Sequence, residues 1–183
     1  MLDNDVKKEI ENAILLLEED NDFMIDSFLE RTNTRIINAF SQNKITINKS
    51  VIQNITEENI KNILHDINKE SCNKIKKMLE KIYLNLYEQI KNNKISKKEL
   101  KELINTVIQK IKQSNNTALT PVLFNNYIDC INSKIAIYDN INLNKLIRDI
   151  LEKSPKEIIN TINENNNELI INEIMHFLKK LLQ

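Results

Sequence analysis

No glycine occurs anywhere in the 183-residue chain. Only glycine takes positive φ without steric cost and lets the backbone approach a ligand closely. Its absence therefore closes off phosphate-cradling loops, type II′ hairpin turns and nucleophile elbows. Tryptophan is absent too, and there are only two prolines, Pro121 and Pro155. What such a chain builds readily is helices, joined by turns in which Asn takes the role glycine usually has.

Apolar residues recur at spacings of three and four almost throughout, and strict alternation is confined to Ile45 and Ile47. This period predicts an all-α fold, a compact bundle of about eight helices in one domain spanning residues 1–183. A chain of this length buries roughly 70% of its unfolded surface, so it needs no metal or disulfide to hold together. The first helix is expected from Asp5 to Glu19 on a stripe of Val6, Ile10, Ile14 and Leu17, and a second from Asp22 to Phe40. One long helix is expected near residues 57–92, with Ile60, Leu64, Ile67, Ser71, Ile75, Met78, Ile82 and Leu86 in a row and a break possible at Asn68 to Ser71. The mean step of that row is about 3.7, above the 3.5 of a left-handed coiled coil.

Helix starts are marked by local chemistry. Ser96 with Glu99 forms a capping box, in which each side chain satisfies the other residue's backbone N–H. Ser154-Pro155-Lys156-Glu157 repeats the box with Pro at the first helical position, Thr120-Pro121 opens another helix, and Asn142 is a further cap. Ser50 with Gln53 is a weaker box. Helix ends are expected at Asn92-Asn93, Asn115-Asn116 and Asn165-Asn166-Asn167.

The net charge is zero, which removes any whole-surface attraction to nucleic acid or anionic membrane. The charges are nevertheless segregated. Residues 1–30 carry ten acids against Lys7 and Lys8, and residues 61–113 carry thirteen Lys against six acids. Opposite biases of this kind predict helix faces that attract one another. The competing reading is a non-specific nucleic-acid face that includes Lys74, Lys77, Lys81, Lys94, Lys98 and Lys101. Specific base readout is not expected, since the only arginines are Arg31, Arg35 and Arg148 and Arg is the bidentate reader of guanine.

The last helix, expected from Glu168 to Leu182, is apolar over most of its circumference. A row of Ile170, Ile174, Phe177, Leu178 and Leu181 marks either the central packing element or a protein interface. Glu173 and His176 have the Glu-x-x-His spacing of di-iron bundles, but His65 has no acid three positions before it, so the second half of that motif is missing. His65, Cys72, Cys130 and His176 lack the close spacing of a structural zinc site, so no metal and no cofactor is expected.

With no apolar leader core and no apolar run near the ~20 residues of a membrane span, the chain reads as intracellular or carried in a virion. The joint excess of Ile, Asn and Lys matches AT-rich codons and points to an AT-rich genome. The expected function is a non-catalytic structural or protein-interaction subunit, associated with a protein partner or a second copy, as in a virion or phage component. Nucleic-acid association through the Lys-rich middle is the alternative. No small-molecule substrate is evident.

Overall fold

A computed structural model describes residues 3–44, 48–56, 61–92, 96–113 and 141–181. Among these residues every regular element is an α-helix: α1 (Asn4–Gln42), α2 (Lys49–Thr56), α3 (Asn62–Lys91), α4 (Lys97–Gln113) and α5 (Ile141–Leu181). The helix expected after Pro121, together with Cys130, Lys94, Ile60 and the Asn115-Asn116 stop, lies outside the described residues.

The expected count of about eight helices is corrected by two fusions. Residues 5–40 form one continuous helix, not two, and on α5 the start expected at Asn142 lies one residue from the helix's beginning at Ile141, while those expected from Ser154 and Glu168 fall inside it. Where Asn falls within the buried rows of these helices it keeps their period. On α1 the buried row runs Val6, Ile10, Ile14, Leu17, Asn21, Ile25, Phe28, with Asn21 wholly inside it. On α5 it runs Ile158, Ile162, Asn166, Ile170, Ile174, Phe177. On α3 Asn68 likewise sits in a row of Leu64, Cys72, Ile75, Leu79, Tyr83 and Leu86, and no break occurs there. An Asn whose side chain is enclosed among neighbouring helices has no reason to turn back on its own backbone.

The ends that do exist follow capping chemistry. At α4 the Ser96 N–H donates to Glu99 Oε2 at 2.9 Å while the Glu99 N–H donates to Ser96 Oγ at 3.3 Å, the reciprocal box expected. At α2 the cap is Asn48, whose Oδ1 accepts from the Ser50 N–H at 3.2 Å, so Ser50 is already inside the helix. At the end of α1 the left-handed residue is Lys44, with φ of 59°, and Asn43 instead uses its side chain to donate to the Ala39 carbonyl at 2.8 Å. A lysine takes the position that Gly fills in most proteins.

By packing, the chain divides into two compact units. The first comprises Met1–Glu19, Lys69–Asn116 and Asn163–Gln183, and the second Asp20–Asn68 and Thr117–Ile162. In the first unit, segments of α1, α3, α4 and α5 enclose one aliphatic core that includes Val6, Ile10, Leu79, Leu100, Ile174 and Phe177. Tyr83 meets Phe177 edge to face, with ring centroids 5.1 Å apart. In the second unit the buried side chains include Ile25, Phe28, Leu29, Ile36, Phe40, Leu64, Ile158 and Ile162. No described helix is long and apolar enough to cross a membrane.

Candidate functional site

The five apolar residues singled out on the last helix belong to the first unit's own core. Ile170, Ile174, Phe177 and Leu178 are buried there, and Leu181 packs against them half-buried. Exposed apolar side chains of this unit include Tyr87, Leu103 and, on the last helix itself, Met175; the most exposed, Leu15 and Leu16 at 55% and 62%, stand side by side on α1. Sequence reasoning missed them because they interrupt no period. The signal available was a run of three leucines, of which only Leu17 falls on the buried stripe.

The opposite charge biases of the sequence do meet. In the first unit Lys76 Nζ on α3 lies 2.8 Å from Glu11 Oε1 on α1, and in the second Lys61 Nζ lies 2.9 Å from Asp26 Oδ2. Of the candidate nucleic-acid lysines, Lys74 is occupied within its own helix by Glu70 at 2.8 Å. Lys77 and Lys81 on α3 and Lys98 and Lys101 on α4 are exposed and make no ion pair among the described residues.

Two polar clusters are built around histidine. In the second unit His65 stands between two carboxylates, with Nε2 2.9 Å from Asp26 Oδ1 and Nδ1 3.8 Å from Asp22 Oδ2. Asp22 is held from its other side by Asn68, whose Nδ2 donates to Oδ1 at 2.9 Å, and Asn68 Oδ1 accepts from Asn21 Nδ2 at 3.2 Å. The line Lys61–Asp26–His65–Asp22–Asn68–Asn21 thus runs from surface to interior and joins α1 to α3.

In the first unit Glu9 receives Lys180 Nζ at 2.9 Å and lies 3.5 Å from His176 Nε2. The Lys180 hydrogen bond, helped by its charge and that of His176, holds the Glu9 carboxyl below the usual range against the cost of desolvation. Glu173 behaves oppositely. Its partial burial pushes its carboxyl up, the Glu9 charge adds to the rise, and His176 opposes it. Within the Glu173-x-x-His176 spacing it is His176 that joins Lys180 around Glu9 of α1, and among the described residues no three His, Cys, Asp or Glu side chains gather as a metal site.

The linked pH dependence has a definite sign for each group. Glu9, with its folded value depressed, contributes stability that is present above its unfolded pKa and lost as pH falls through the folded one. Glu173, raised, costs stability at neutral pH, and that cost is relieved as pH falls through its folded value. Glu173→Gln is thus expected to raise the melting temperature at pH 7, with the advantage shrinking on acidification into the carboxylate range. Thermal unfolding at several pH values reads this directly. A variant less stable than the parent at pH 7 contradicts the assignment.

In the second unit a groove of about 430 Å³ lies between α1 and α5, bordered by Phe23, Phe28, Arg31, Thr32, Arg35 and Ile158. It brings together two of the chain's three arginines. Sequence reasoning treated those arginines only as too few for base readout. Their i, i+4 spacing places both on one helical side and was the available clue.

The chain matches no protein-family model, no curated protein and no solved structure.

Proposed function

We propose that the protein is a non-catalytic interaction subunit that associates with a second copy of itself. The observation that carries the reading is the Leu15–Leu16 pair. Single exposed aliphatics are ordinary, whereas two adjacent leucines, each more than half exposed, form an apolar spot that association would cover. The spot lies on a helix segment that also carries the exposed acids Asp5 and Glu19. The same unit offers Lys77, Lys81, Lys98 and Lys101 without ion-pair partners among the described residues. A surface and its charge complement carried on one chain favour head-to-tail contact between copies, and the charges make that contact sensitive to salt. The absence of glycine supports the lack of catalysis, because the common loop-borne sites are out of reach.

Light scattering behind size exclusion, over a wide concentration range at low and high salt, tests the reading. The expected result is a mass above 21.5 kDa that falls toward 21.5 kDa with dilution, with salt and on Leu16→Asp substitution. A 21.5 kDa monomer under every condition overturns it. Duplex binding by that monomer, weakening steeply with salt and lost on replacing Lys77 and Lys81, would put the nucleic-acid reading in its place.

A further inference from the structure

We propose that the groove between α1 and α5 in the second unit is a binding site for a small amphipathic carboxylate. Its volume of about 430 Å³ falls in the range of small-molecule sites. Its composition divides into two parts. Phe23, Phe28 and Ile158 supply the apolar side, and Arg31 and Arg35 supply the cationic one.

Phe23 is the most exposed large apolar residue described, at 73%. An aromatic ring held that far into water at the edge of a concavity gains from an apolar ligand laid against it, since burying it is worth about 25 cal/mol per Å². Arg31 is aimed by its own helix: its Nε donates to the Ser27 carbonyl at 3.3 Å. Its terminal amino groups make no hydrogen bond among the described residues. A guanidinium fork matches a planar carboxylate with two parallel hydrogen bonds.

Thr32 gives the independent observation. It borders the groove, is 1% exposed, and its hydroxyl has no hydrogen-bond partner among the described residues. A helical threonine ordinarily bonds the carbonyl one turn back, and a buried hydroxyl left without a partner costs stability. Rotation about χ1 toward an incoming carboxylate would give that hydroxyl an acceptor. A ligand with an anionic head and an apolar body satisfies all three features together. An inorganic anion leaves the apolar side uncovered, and a neutral hydrocarbon leaves Arg31 and Thr32 without partners.

The test is calorimetric titration of the full chain with decanoate below its micelle concentration, alongside decanol and inorganic phosphate. Saturable one-to-one binding of decanoate is expected, with affinity falling roughly tenfold or more in Arg31→Gln, as loss of a charge-assisted hydrogen bond predicts. Thr32→Val keeps the side-chain shape and removes the unpartnered hydroxyl. It is expected to weaken decanoate binding while leaving the melting temperature unchanged or raised, an opposition that a merely structural role would not produce. Decanoate binding unchanged in Arg31→Gln, equal binding of decanol or phosphate, or no saturable binding at all overturns the proposal.

Discussion

Phe177→Ala is expected to lower the unfolding free energy by about 3–5 kcal/mol, the usual cost of deleting a buried aromatic ring and leaving a cavity behind. Phe177 is 0% exposed, sits in the first unit's aliphatic core and makes its edge-to-face contact with Tyr83. Against a total stability of about 5–15 kcal/mol that is a large fraction of the whole. Met175 provides the control. It lies two residues away on the same helix and is 42% exposed, so Met175→Ala is expected to change stability by no more than about 0.5 kcal/mol. Urea unfolding followed by circular dichroism separates the two. Equal losses would mean that α5 does not present the Phe177 face to the core.

The second large effect is expected at Asn68. Removing its amide in Asn68→Ala leaves the Asn21 Nδ2 group without the acceptor it has at 3.2 Å, deep in the second unit, and takes one donor from Asp22. Taking a hydrogen-bond acceptor away from a buried polar group costs about 1–3 kcal/mol. The double change Asn21→Leu with Asn68→Leu removes both amides together. It is expected to recover much of that loss, because apolar replacement of a whole buried polar pair is often close to neutral. A double-mutant cycle built on urea unfolding measures the coupling, and strictly additive losses would show that the two amides do not depend on each other.

Periodicity carried most of what was readable. The stripe of Val6, Ile10, Ile14 and Leu17 is buried as its spacing implies, and so are Ile25, Phe28, Leu29, Ile36 and Phe40. The Ser96–Glu99 box could be read because all its partners lie within four residues of one another. Asn was misjudged as a stop at Asn165 to Asn167, because its effect depends on what surrounds it. Exposed, it competes for the backbone; enclosed with an amide or a carboxylate in reach, it stays in the row. On α3 the same effect shifts the buried row, so that Asn68 and Cys72 are inside while Ile67, Ser71 and Met78 flank them half-buried.

The charge bias was legible as bias, although which lysine meets which acid was not. Glu11 with Lys76 and Glu9 with Lys180 are matched by packing across long stretches of chain. The groove was hidden for the same reason, since Arg31 and Ile158 lie far apart in sequence and only the fold brings them to one cavity.

The first unit also dictates an order of events during synthesis. Its core joins Val6 and Ile10, near one end of the chain, to Ile174 and Phe177, near the other, and Glu9 is clasped by a lysine 171 residues downstream. The first turns of α1 are made before α5, and their apolar stripe can meet Leu79 and Leu100 of α3 and α4 but not the Ile174 and Phe177 that complete its core. Contacts of such long sequence separation form late and slow folding. Until α5 is made, the stripe of Val6, Ile10, Ile14 and Leu17 lacks part of the core that covers it, and transiently exposed apolar surface of this kind is prone to aggregation.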